Sequence, residues 1–127
     1  MGHILLTGAG FSHNWGGMLA HEVFQYLLGC TELDDDMRRL LWRDKNQGGG
    51  FEDTLVSLRH AKDDGTKAKY RLLTSCVAGM FNGMGQAFMQ REFEFRNPPD
   101  SRCSLATFLA RFDAIFTLNQ DTLLEQK

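Results

Sequence analysis

Long apolar runs are missing from this chain of 127 residues. No stretch approaches the roughly 18 apolar residues that a membrane helix needs. The run Ile4-Leu5-Leu6 near the start is too short for the apolar region of a signal peptide. Gly2 follows Met1, but residue 6 is Leu6, where a myristoylation motif wants Ser or Thr. These absences argue against a membrane partner and make the cytosol the expected compartment. A basic stripe is missing too. The net charge is −2 and the pI ≈ 6.0, so nothing favours direct contact with nucleic acid. Cysteine is sparse: Cys30, Cys76 and Cys103 are odd in number and widely spaced, with no Cys-x-x-Cys. That pattern argues against zinc and for reduced, mostly buried thiols, and no metal is expected. No Gly-Lys pair occurs, which removes a Walker-type phosphate loop.

What is present fits one globular domain, with 43% hydrophobic and 24% charged residues, and a small core. Residues 3–7 read as a short buried strand running into Gly8, the pattern of a parallel strand covered on both faces. A loop over 8–17 follows, then a helix over 18–28 with Leu19, Val23, Tyr26 and Leu27 near one face. Asp34, Asp35 and Asp36 precede "MRRLLWRDK". Acids before bases complement a helix dipole; the alternative is an acidic metal site, although three consecutive helical residues point apart. "NQGGG", residues 46–50, reads as a flexible joint.

Residues 51–61 form a helical pattern with Phe51, Leu55, Leu58 and Ala61 in a stripe, broken by "KDDGTK". The longest helical pattern runs from Thr66 to about Phe95. Leu73, Val77, Met80, Phe81, Met84 and Phe88 recur at three- and four-residue intervals, a core stripe rather than a cofactor box. Gly79, Gly83 and Gly85 mark a kink or close packing. Pro98 and Pro99 end this block, Ser104 reads as the N-cap of "LATFLARF", and residues 114–118 read as a second strand. A further helix is expected from Asn119 onward.

Two strands joined by a long helical connection imply a parallel pair. The expected class is α/β: a Rossmann-like parallel sheet, incomplete in this chain, with a large helical insertion over roughly 18–110. Two parallel strands alone make a weak sheet. Residues 1–127 are therefore expected to be the N-terminal part of one larger domain, associating with itself or with the rest of a longer protein.

The sites of interest are the two strand ends. "TGAGFS", residues 7–12, has a backbone that an anion could approach closely. Ala9 and Gly10 leave N–H groups open, the following helix would present its positive end, and Ser12 adds a hydroxyl. The third position of a dinucleotide fingerprint holds His13 rather than Gly, so a plain strand-to-helix turn remains the alternative. "TLNQD", residues 117–121, leaves the second strand. In a parallel sheet both loops share the carboxyl edge, where open α/β sheets bind ligands. Asn119 and Asp121 suit sugar hydroxyls and a carboxamide, or else cap the next helix.

Gly8-Ala9-Gly10-Phe11-Ser12 resembles the Gly-Ala-Gly-x-Ser signature of the sirtuin family. Thr117-Leu118-Asn119-Gln120-Asp121 is similar to that family's Thr-Gln-Asn-Ile-Asp, in the same order. Gly50-Phe51-Glu52-Asp53-Thr54-Leu55 and residues 112–125 resemble text of the sirtuin-like proteins of bacterial antiphage defence. The helical middle carries little signal. The resemblance implies an NAD-binding domain. Gly8, Ala9, Gly10, Phe11 and Ser12 would hold the pyrophosphate and nearby ribose, together with Thr117. Asn119 would contact the nicotinamide ribose or place a water, and Asp121 would bind the carboxamide.

Departures point away from a lysine deacylase. The Gly-Ile-Pro-Asp-Phe-Arg that follows the family's glycine loop is replaced by "HNWGGMLAHEVF", and the family's zinc-binding cysteines are absent. None of His3, His13, His21 or His60 matches the family's catalytic histidine, which lies beyond the Asn-Asp loop; His13 reads as an exposed loop residue or a ligand contact. The expectation is an NAD glycohydrolase of antiviral defence, active in a complete protein, with Asn119 and Asp121 as catalytic residues; residues 1–127 alone, lacking that histidine, are expected to be inactive. The alternatives are a non-catalytic NAD or ADP-ribose module, an NAD-dependent deacylase, and a purely structural piece.

Overall fold

The computed structural model describes residues 2–97, 101–119, 121, 123 and 124. The described chain is mixed α/β. Its elements are β1 (Ile4–Thr7), α1 (Ala9–His13), α2 (Ala20–Gly29), α3 (Asp35–Asn46), α4 (Phe51–Arg59), α5 (Asp64–Met89), β2 (Glu94–Asn97), β3 (Ser101–Ser104), α6 (Leu105–Leu109) and β4 (Ala114–Thr117). They fall into two units. One comprises Met1–Met18 with Phe81–Lys127, the other Leu19–Met80.

In the first unit β1 and β4 pair in parallel, with Ile4 opposite Ala114 and Thr7 opposite Thr117. The register is held at both ends. Asp113 N–H donates to the His3 carbonyl (2.8 Å), and its carboxylate accepts from His3 N–H (2.6 Å). At the other end Leu118 N–H donates to the Thr7 carbonyl (3.1 Å). The pair is not covered on both faces as the apolar run implied. Alternation sends Ile4, Leu6 and Phe116 to one face, where they are 66%, 64% and 58% exposed. Thr7, on the opposite face, is buried.

An antiparallel hairpin, β2 with β3, occupies ground where a helix was expected to reach Phe95. Helix α5 stops at Met89 instead. Pro98 and Pro99, assigned to the end of that block, lie outside the described residues. Aromatic contacts tie the hairpin to its own unit. Trp15 packs edge-on against Phe95 (5.2 Å between ring centres), and Phe95 packs against Phe108 (4.9 Å). Ser104 caps α6, its hydroxyl accepting from Thr107 N–H (3.1 Å).

The helical unit shows why its segments are helices. Asp34 caps α3 by accepting from Met37 N–H (2.8 Å), and Asp35 pairs with Arg38 one turn on (3.2 Å). The acidic triplet thus serves the helix start. Val23, Phe24 and Leu27 bury the inner face of α2. Tyr26, placed on that face by spacing, is exposed, and Phe24 takes its place. In α4 the buried face is Phe51, Thr54 and Leu58, with Leu55 half-buried. "NQGGG" forms a tight turn: Gly48 has φ +85° and Gly49 N–H donates to the Asp44 carbonyl (3.0 Å). Asp44, 7% exposed, is a polar link between α3 and α4. It accepts from Thr54 Oγ1 (2.7 Å) and from Arg43 Nε and Nη2 (3.0 Å each). On α5, Leu73, Cys76, Met80, Met84 and Phe88 are buried and Val77 and Phe81 half-buried, so the Met and Phe stripe is core.

Candidate functional site

Because β1 and β4 run parallel and in register, the Gly8 turn and the Asn119 loop leave the same edge. Their polar side chains meet there. Ser12, 1% exposed, is the hub: its hydroxyl donates to Asp121 Oδ1 (3.0 Å) and accepts from Asn119 Nδ2 (2.9 Å). The same Asn119 amide donates to the Gly8 carbonyl (3.1 Å). Since a carbonyl only accepts, that contact fixes which way the amide points. Thr117 holds the loop from below, its Oγ1 accepting from Asn119 N–H (3.0 Å). Asp121 Oδ1 also accepts from Leu123 N–H (3.1 Å), a local turn bond; most of the stretch where a helix was expected from Asn119 onward lies outside the described residues.

Gly8, Ser12, Thr117, Asn119 and Asp121 thus form one hydrogen-bonded cluster. Ala9 and Gly10 lie exposed beside it. Phe11 goes elsewhere, its ring packing edge-on against Trp15 (5.2 Å between centres). His13 sits exposed on α1, and its Nδ1 donates to the Gly17 carbonyl (2.8 Å).

The stretch after Gly8 is a one-turn helix rather than an open loop. A single turn carries little dipole, so any anion here would rely on individual N–H groups. Phe11 N–H is used by the Gly8 carbonyl (2.9 Å), while those of Ala9 and Gly10 have no partner among the described residues.

The glycines separate into two kinds. Gly16 has φ +96°, and a Cβ on Gly17 would lie 2.7 Å from Ser12 Cβ and 2.8 Å from its carbonyl carbon. Both are required by the protein's own backbone. Gly8 and Gly10 have ordinary φ, and nothing lies within 4 Å of a Cβ built on either. The space beside them is open. Thr7 adds a second feature at this edge: it is 4% exposed and its hydroxyl has no hydrogen-bond partner among the described residues. A buried polar atom without a partner costs free energy that a ligand or water can recover.

A different group in the helical unit was not legible in the sequence. Cys30, Glu32 and Cys76 bring their ligand-type atoms within 4.8 Å of one another. Burial first, then the hydrogen bond and charge of Cys30, then the charge of Glu32, push the Cys76 thiol up to about 11. The nearby Cys30 also raises the Tyr26 phenol. Spacing rules look for short Cys-x-x-Cys pairs and miss thiols joined only by folding.

No family profile, no curated protein and no solved structure matches the chain. Among the described residues no helix is long and apolar enough to cross a membrane.

Proposed function

We propose that the carboxyl edge of the β1–β4 pair binds NAD, and that the protein hydrolyses it to nicotinamide and ADP-ribose. The supporting observation is the Ser12 cluster: Ser12, Asn119 and Asp121, far apart in sequence, are hydrogen-bonded at one strand-end edge beside two glycines with free space. In this reading β1 and β4 are strands of a Rossmann-like sheet. The pyrophosphate lies over the Ala9 and Gly10 N–H groups. The resemblance of both loops to the sirtuin family supplies the choice of NAD, and that of residues 50–55 and 112–125 to the sirtuin-like defence proteins supplies the antiviral setting.

The chemistry follows from the groups present. The bond between nicotinamide nitrogen and ribose C1′ breaks, and its electron pair leaves with the nicotinamide. Positive charge on the ribose grows as this happens. Both Asn119 amide hydrogens are engaged, which leaves its oxygen to orient a water toward C1′. The Asp121 oxygen not bonded to Ser12 and Leu123 remains for the carboxamide N–H. The attacking water gives its proton to solvent.

One observation favours a second reading. The Asn119 amide and Asp121 Oδ1 are committed to holding the loops together, which suits a binding module without turnover. Two measurements separate the readings. Millimolar NAD should raise the melting midpoint of the chain, since a ligand of the folded state stabilises it. Chromatography should then detect nicotinamide with the complete protein and none with its Asn119→Ala variant. A midpoint shift without nicotinamide favours the module. No shift and no product refutes NAD as the ligand.

A further inference from the structure

We infer that Cys30, Glu32 and Cys76 form a zinc site, with two thiolates and one carboxylate as protein ligands and a fourth position open to the surface. The argument starts with placement. Cys30 is the C-cap of α2, Glu32 lies in the turn that follows, and Cys76 faces them from the buried side of α5. All three belong to the helical unit.

Their ligand atoms lie within 4.8 Å of one another. Tetrahedral zinc with Zn–S of about 2.3 Å and Zn–O of about 2.1 Å spaces its ligand atoms roughly 3.5–3.8 Å apart. The three atoms therefore need only small rotamer adjustments to close on one ion. Thiolate pairs select zinc over magnesium or calcium, which demand oxygen-rich shells.

Two further features distinguish this group from core cysteines that happen to be neighbours. The first is support for the backbone. Arg38 donates from Nε to the Leu28 carbonyl (3.0 Å) and from Nη2 to the Cys30 carbonyl (2.7 Å), so the turn bearing Cys30 is held in place. The second is access. A surface hollow of ≈ 450 Å³ is lined by Gln25, Tyr26, Gly29, Cys30, Thr31 and Glu32. Zinc can enter there, and water or an exogenous ligand can complete its shell. Three protein ligands with an open fourth position is the arrangement of reactive rather than purely structural zinc. Tyr26 lines the same hollow beside Cys30 and Glu32. On binding, two Zn–S bonds and one Zn–O bond form, and each thiol releases its proton to solvent.

The test uses the metal-free chain kept under a thiol-free reductant. Zinc is titrated in competition with a chromophoric chelator, and cobalt(II) serves as a spectroscopic stand-in. The expected result is a single zinc ion per chain, a thiolate-to-cobalt charge-transfer band, and a higher melting midpoint with zinc. Cys30→Ser and Cys76→Ser should abolish uptake, and Cys103→Ser should retain it. Glu32 is exposed, so Glu32→Gln tests the site without endangering the fold; it should weaken zinc by roughly tenfold or more. No uptake by wild type, unchanged affinity in Glu32→Gln, or uptake that survives Cys30→Ser and Cys76→Ser together overturns the assignment.

Discussion

Gly10 and Gly17 lie within one turn-rich stretch but answer to different constraints. A Cβ on Gly17 would meet Ser12 backbone at 2.8 Å, so Gly17→Ala forces Ser12 to move and should cost about 1–3 kcal/mol. A Cβ on Gly10 meets nothing within 4 Å. Gly10 is also in a helix, where alanine is better by up to about 1 kcal/mol. Gly10→Ala should therefore leave the melting midpoint equal or higher and yet erase the midpoint rise caused by NAD. A variant that responds to NAD as wild type does would show that no ligand approaches Gly10. Cys76 provides a second prediction. Its folded thiol holds its proton up to about 11, whereas the ordinary value is 9.0. The folded state thus binds the extra proton over that interval, so its advantage is complete below about pH 9 and is lost as pH rises toward 11. Metal-free wild type should melt progressively lower across this range, and Cys76→Ala should decline less. Parallel curves would remove Cys76 as the source.

At the scale of elements, α3, α4, α6 and the buried stripe of α5 were readable because their signals are local, whereas the one-turn α1 was read as a loop. Asp34 caps its helix, Ser104 caps its own, and the α5 stripe falls on the buried side. The hairpin was not readable. "EFRN" and "SRCS" are four residues each and lack the alternation of a half-buried strand. What supports them is an aromatic contact with Trp15 from far away in sequence. Tyr26 was misplaced for a related reason: a helical stripe one residue wide of the true face is hard to tell from spacing, and packing chose Phe24. The Thr54–Asp44 bond is another element-level device. Thr54→Val keeps the shape of the side chain but leaves a buried carboxylate oxygen without its donor. Urea unfolding should show a loss of about 1–3 kcal/mol. A loss near zero would mean that water replaces the hydroxyl.

For the whole molecule, the β1–β4 pair is a small sheet with one apolar face open. Ile4, Leu6 and Phe116 are all more than half exposed on it. Such a patch binds hydrophobic surfaces when it is contiguous. A hydrophobic fluorescent dye should bind the native chain, and Ile4→Thr with Phe116→Thr should reduce the signal while barely altering the melting midpoint, since neither side chain is buried. Dye binding unaffected by the pair would place the apolar surface elsewhere. The expectation of a strand covered on both faces failed because an apolar run reports the preference of the residues and not the presence of a cover.

By itself the sequence determined the starts of α3, α4 and α6, the stripe of α5, the glycine-ended strand and the parallel sense of β1 and β4. These depend on neighbouring residues, on 3.6-residue periodicity and on the length of the connection. Only the tertiary structure decided that Ser12 bridges Asn119 and Asp121, that Thr7 lacks a partner, and that Cys30 meets Cys76 beside Glu32. Such meetings depend on register and helix packing to within about an ångström, and residue order carries no measure of distance at that scale.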